Sequence, residues 1–212
     1  MMSGNILNKA NKLLEKGKQT RSEILSESVD IASAEGLEGL TIGRLAKDLK
    51  MSKSGLFAHF GSKEDLQIAT VRRARDVFIE EIVAPASKDK RGLERLEALL
   101  DNWIKYVESG VFRGGCFFFA VSAEMDDRPG RVRDLIAHLT MSWVTVIEDE
   151  VKTAIELGEL RSDCDAELLA YQFHGFVQEA NWFYRLHGRT RAFQHARDSI
   201  AETLSRYKKN NS

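Results

Sequence analysis

Helix punctuation dominates this chain and leaves few folds open to it. Stretches rich in Leu, Ala, Glu, Lys and Arg are opened by Ser, Thr or Asp and closed by glycine, and only two prolines, Pro85 and Pro129, interrupt the 212 residues. Few helix breakers among so many good helix formers favour helix over sheet. The expected fold class is all-α, with about nine helices: three in a compact N-terminal head, one connector, and five in a larger C-terminal bundle. A hydrophobic content of 43% supplies one compact core and a small satellite domain.

The elements follow from the caps. Residues 1–18 are polar, with Lys9, Lys12, Lys16 and Lys18, and read as a flexible basic arm. Thr20-Arg-Ser-Glu23 has the form of a capping box. It predicts a helix to about Ala34 with Ile24, Leu25, Ser28, Ile31 and Ala32 on one face and Gly36 at its end. Thr41 caps a short helix over 42–49. After the turn Leu49-Lys50-Met51, Ser52 caps a second one that runs to about His59, closed by Gly61. Ser62-Lys-Glu-Asp65 opens a long helix expected to reach Val83, where Pro85 stops it. Further helices are expected at about 90–109, 116–125, 128–157, 166–187 and 191–207. Asp127 reads as a cap before Arg128-Pro129, and Gly158 and Gly188 as terminators. The domain boundaries then separate the arm over 1–18, a compact three-helix head over 19–66, and a larger helical body over 67–212.

Several function classes drop out. No P-loop, dinucleotide fingerprint, nucleophile elbow or His/Cys/Asp metal cluster is present, and Asp126-Asp127 reads as helix capping. No catalytic residue, metal site or cofactor is expected. Cys116 and Cys164 lack metal-ligand spacing and suggest a reduced compartment. No stretch approaches the ~20 apolar residues that span a bilayer, and no signal-peptide pattern follows the N-terminus. The expectation is a soluble, cytoplasmic protein without a membrane partner. The net charge of −1 hides an asymmetry: residues 1–75 hold 13 Lys and Arg against 9 Asp and Glu, and the remainder 18 against 23. A basic end suits DNA phosphates, although ordinary scatter of charge gives the same balance.

Two short helices joined by a tight turn, behind a longer supporting helix, form the helix-turn-helix arrangement. The second short helix has to enter a major groove ~12 Å wide. It reads Ser52-Lys-Ser-Gly-Leu-Phe-Ala-His-Phe60, and burying Leu56 and Phe60 leaves Ser52, Lys53, Ser54, Gly55 and His59 on the outer side. Thr41 and Lys63, at the starts of the neighbouring helices, add backbone N–H groups and charge for a phosphate. Arg44 and Lys47 lie on the exposed side of the first short helix, where a solvated face competes with phosphate binding. Phe57 is a further candidate contact, with core packing as its alternative.

The run from Thr20 to Leu66, TRSEILSESVDIASAEGLEGLTIGRLAKDLKMSKSGLFAHFGSKEDL, resembles the DNA-binding domain of the tetracycline-repressor (TetR) family. The likeness rests on the Leu-Thr-Ile approach to the second helix, the Leu45-Ala46 pair inside it, and Phe60-Gly-Ser-Lys-Glu64 after the third. It implies a homodimer on a palindromic operator, released when a small molecule enters the C-terminal domain. The chain departs from the family pattern in three places. Phe57 stands where a tyrosine often offers a hydroxyl, His59 replaces another frequent aromatic, and Lys50 occupies a turn position where glycine is common.

In the C-terminal part, Trp103, Phe119, Met125, Trp143 and Phe176 are the candidate lining of an effector pocket, which would suit an apolar or aromatic compound. His138 and His174 either orient such a ligand or fill structural roles. The segment Phe112-Arg-Gly-Gly-Cys-Phe-Phe-Phe119 resembles a Gly-Cys stretch of the family; Cys116 reads as a small buried residue, with redox sensing as the rival. The last two helices carry the family's dimer interface. Helix 166–187 is apolar on more than one face, with Tyr171, Gly175, Gln178 and Trp182 as candidate interface residues. A DNA-binding dimer without an effector, and an activator, remain open on these residues.

Overall fold

The computed structural model describes residues 2–86 and 90–209. Among the described residues it contains nine helices and no strands beyond one isolated bridge between Leu160 and Lys208. They are α1 (Met2–Glu35), α2 (Ile42–Asp48), α3 (Lys53–Phe60), α4 (Lys63–Phe78), α5 (Gly92–Glu108), α6 (Phe117–Met125), α7 (Arg131–Glu156), α8 (Ala166–His187) and α9 (Arg191–Tyr207). Residue 1 of the expected arm, residues 87–89 and residues 210–212 lie outside the described residues.

Most local signals act as read. Thr41, Ser52, Ser62 and Asp165 each accept a hydrogen bond from the backbone N–H three residues on, so α2, α3, α4 and α8 all start on a side-chain cap. Gly36, Gly61, Gly158 and Gly188 take positive φ at helix ends.

Four local expectations are overturned. Residues 2–18, read as an arm, are the N-terminal half of α1. Thr20 therefore caps nothing; its hydroxyl donates to the Lys16 carbonyl inside the helix. Pro85 does not stop α4. A wide turn over Ile79–Val83, in which the Ala84 N–H reaches back to the Ile79 carbonyl, precedes the proline ring, and a helical turn continues through Ala84–Ala86. Asp127 is not the cap of α7, which starts at Arg131 after Gly130, whose φ of 150° suits a glycine.

The start of α5 has no local cap either. Glu150 of α7 accepts from the Gly92 N–H at 3.2 Å and Glu159 from the Leu93 N–H at 2.8 Å, and Arg95 pairs with the same buried Glu150. Two distant carboxylates thus meet the positive end of the helix.

Two hydrophobic cores result. Ile24, Ile31, Leu40, Leu45, Leu56, Phe60, Leu66 and Ala69 close the head. The larger core runs through α5–α9 and centres on fully buried side chains such as Trp103, Phe117, Phe173 and Phe193. α1 and α4 serve both, since Val29 and Ala32 of α1 and Val71, Ala74 and Phe78 of α4 belong to the larger core. The head therefore does not hang on a linker; two of its own helices are built into the body.

Candidate functional site

The head presents α3 on a scaffold set by α1, α2 and α4. Leu56 and Phe60 are buried as their four-residue spacing requires, while Ser52, Lys53, Ser54 and Phe57 are exposed and Gly55 and His59 half-buried. Lys53 has no ion pair among the described residues; its Nζ lies over Gly43 of α2, 3.7 Å from where a Cβ there would be. Phe57 is 47% exposed, so packing does not account for it. Lys50 takes φ 53°, a left-handed backbone that costs a side-chain-bearing residue about 1 kcal/mol.

Two of the expected cations have partners inside the head. Arg44 is gripped by both oxygens of Glu35 and lies 3.5 Å from Asp48. That guanidinium holds the Glu35 carboxyl below its usual range. Lys63 pairs with Glu38 at 3.0 Å and lowers its pKa in the same way. A phosphate would have to displace a carboxylate at either residue. Lys53 presents its charge without that competition.

Arg21 was not foreseen from the sequence. Its guanidinium sits 4.3 Å over the Phe60 ring and donates at 2.8 Å to the His59 carbonyl, tying α1 to the end of α3. The only sequence signal was a basic residue facing the head core from within α1, and its partner is 38 residues away.

The body holds a cavity of about 250 Å³ between α4, α5, α7 and α8. Trp103 and Trp143, two of the candidate pocket residues, line it, with Phe78, Phe118, His174 and Gln178 among the other walls. Three expected lining residues are elsewhere. Phe118 faces the cavity rather than Phe119, one residue and about 100° round the helix. Met125 lines a surface crevice beside Arg128 and Arg131, and Phe176 faces grooves between α8 and α9. Of the two histidines, His174 lines the cavity, where burial pushes its pKa down, while His138 is exposed. Cys116 also lines it; burial pushes its thiol pKa up, opposite to what a reactive sensor needs.

On α8, Tyr171 is 74% exposed, and Leu168, Gly175, Trp182 and Leu186 lie on the same open stripe at helical spacing. Gln178, expected on that stripe, is turned into the cavity instead.

The cavity is mechanically joined to the head through the glycine segment before α6. Arg113 N–H donates to Asp30 at 2.8 Å, and Gly114 N–H to Ser33 Oγ at 3.0 Å, both on α1. Cys116 N–H donates to the buried Asn181 of α8. At the far end of α6, Glu124 accepts from the Leu37 and Glu38 N–H groups at 2.6 and 2.8 Å, in the turn that leads to α2. Among the described residues no group of three or more His, Cys, Asp or Glu could hold a metal, and no helix is long and apolar enough to cross a membrane.

Comparison with known proteins agrees with this anatomy. Residues 24–70 match the family model of bacterial regulatory proteins of the tetR family, and residues 92–200 that of the tetracyclin repressor-like C-terminal domain. The nucleoid occlusion factor SlmA of Haemophilus influenzae is 22% identical over 137 residues, 62% of this chain and 61% of that protein. The chain therefore aligns with less than two thirds of that curated relative. A TetR transcriptional regulator from Chloroflexus aurantiacus superposes with a TM-score of 0.84 at 25% identity, covering 92% of this chain and 98% of the other. AibR, solved with isovaleryl coenzyme A and operator DNA, superposes with a TM-score of 0.70 at 24% identity over 86% and 96% of the two chains, a likeness of fold.

Proposed function

Because the chain belongs to the tetracycline-repressor family of DNA-binding transcriptional regulators, we propose that it is a cytoplasmic repressor that binds a palindromic operator as a homodimer and leaves it when a small molecule enters the body. In this reading residues 19–66 bind DNA and residues 67–212 sense the effector and dimerise. The observation that carries it is α3 itself. A buried Leu56 and Phe60 anchor an exposed face of Ser52, Lys53, Ser54 and Phe57, with the N-termini of α2, α3 and α4 nearby to take phosphates.

Ser54, Gly55 and His59 complete the base-facing surface; Thr41 takes a backbone contact directly, and Arg44 and Lys63 do so once Glu35 and Glu38 yield. The open stripe of α8, led by Tyr171 and Trp182 around Gly175, supports dimerisation, because large exposed apolar side chains at helical spacing call for a partner surface. A two-fold dimer then sets two α3 helices about one turn of DNA apart, ~34 Å or more. The cavity, walled mostly by aromatic and aliphatic groups, supports an apolar or aromatic effector.

The test is anisotropy of labelled duplex from upstream of the gene, against shuffled DNA, at two salt concentrations, followed by random-site selection. Selective, salt-sensitive binding of two protomers per site, reduced about tenfold or more by Lys53→Ala, is the expected result. Weak binding indifferent to sequence in both formats would overturn the reading.

A further inference from the structure

Residues of the cavity wall carry buried polar atoms that no other described residue answers. Trp103 and Trp143 are 1% and 8% exposed, and among the described residues neither indole Nε1 has a hydrogen-bond partner beyond the Cys116 sulfur, a weak acceptor, beside Trp103. Gln178 Oε1 is buried and has no donor among the described residues. Its amide nitrogen is already 3.5 Å from His174 Nε2, which leaves the oxygen as the free end. Buried polar atoms are nearly always paired in folded proteins, so a cluster of orphans around one cavity asks for a ligand. The cluster is contiguous: Trp103 meets Trp143 edge-on at 5.3 Å and His174 at 5.4 Å.

Charge narrows the choice. Among the lining residues Arg75 is the one charged side chain, and its Nε and Nη2 are both held by Asp76, at 3.0 and 2.6 Å. No lining carboxylate awaits a cation, and no unpaired cation awaits an anion. Size narrows it further. A cavity of ~150 Å³ takes benzene, so about 250 Å³ accommodates a substituted ring or two fused rings. The T-shaped pairs around Phe78, at 4.9 Å from Trp143 and 6.1 Å from Phe118, offer ring edges and faces to an aromatic guest.

We propose that the effector is a neutral aromatic compound of one or two rings with a hydroxyl group that, with Trp143 and Gln178 turning their sealed polar atoms toward it, accepts from the Trp143 indole and donates to Gln178 Oε1. This deepens the regulator reading and rests on the cavity being the effector site.

The test uses four aromatic probes of similar size at neutral pH, with affinity read by tryptophan fluorescence and calorimetry on the full chain: 2-naphthol, naphthalene, 2-naphthoate and phenyltrimethylammonium. The expected order places 2-naphthol about tenfold or more ahead of each other probe, the worth of a matched buried hydrogen-bond pair. Trp143→Phe and Gln178→Leu should each cost 2-naphthol about tenfold and leave naphthalene unchanged, with circular dichroism checking that both variants fold. Equal or tighter binding of naphthoate, the ammonium or naphthalene would overturn the assignment. So would binding by none of the four. Operator binding by the unliganded protein is measured separately. Selective DNA binding with no probe bound removes the effector class and keeps the regulator; loss of DNA selectivity removes the regulator whatever the cavity binds.

Discussion

Gly114→Ala should be among the most damaging single-atom-scale changes this fold can receive. A Cβ there would lie 1.8 Å from the Ser33 carbonyl oxygen, 2.1 Å from its carbon and 2.5 Å from the Ala34 nitrogen. All three are backbone atoms of α1, so no side chain can swing aside. Reaching 3.0 Å, the closest approach real Cβ atoms show, means opening the contact by at least 1.2 Å, the difference from 1.8 Å. That movement breaks the Gly114–Ser33 and Arg113–Asp30 hydrogen bonds, of 3.0 and 2.8 Å. Overpacking costs about 1–3 kcal/mol and each lost hydrogen bond about 1 kcal/mol, giving about 3–5 kcal/mol in all. Against a total stability of about 5–15 kcal/mol this brings the protein near its threshold. Urea unfolding followed by circular dichroism, at fixed protein concentration, measures it. Gly17→Ala is the control: nothing lies within 4 Å of its Cβ and it sits inside α1, so it should gain about 0.5–1 kcal/mol. A Gly114→Ala protein within 1 kcal/mol of the parent would refute the close approach of α1 to this segment.

Three further outcomes are expected. Lys50→Gly relieves the left-handed backbone at φ 53° and should stabilise the head by up to about 1 kcal/mol, seen as a rise in Tm with unchanged DNA affinity. Glu124→Ala strips the acceptor from the Leu37 and Glu38 amides and should cost about 2 kcal/mol, with faster hydrogen exchange confined to the α1–α2 turn; Gly36→Ala, whose Cβ would meet the same carboxylate at 2.5 Å, should be milder in the Glu124→Ala background than alone. Arg21→Ala removes the contact over Phe60 and the bond to the His59 carbonyl, lowering head stability by about 1–2 kcal/mol and operator affinity with it, measured by thermal denaturation and anisotropy.

What the sequence determined by itself is local. Thr41, Ser52, Ser62 and Asp165 announce helix starts because a cap and its amide are three residues apart, and Gly61 and Gly188 announce ends because the left-handed turn needs no distant partner. The buried pair Leu56 and Phe60 was legible for the same reason, as helical spacing decides which side of so short a helix faces its neighbours. Thr20 misled because a capping box is silent when the residues before it are themselves helical.

Tertiary structure decided everything that needed a second element. Glu150 and Glu159 cap α5 from 58 and 66 residues away, and Glu124 holds a turn 86 and 87 residues behind it. Periodicity could name an apolar helix but not its rotation. Only the surrounding helices chose Phe118 over Phe119 for the cavity, turned Phe176 toward α9, and drew Gln178 inward from the stripe of Tyr171 and Trp182. The composition could likewise count Arg44 as a cation for DNA, whereas the fold brings Glu35 against it. Caps and periods are written within a few residues of chain; the side a helix buries and the partner a charge meets are set by what packs across from it.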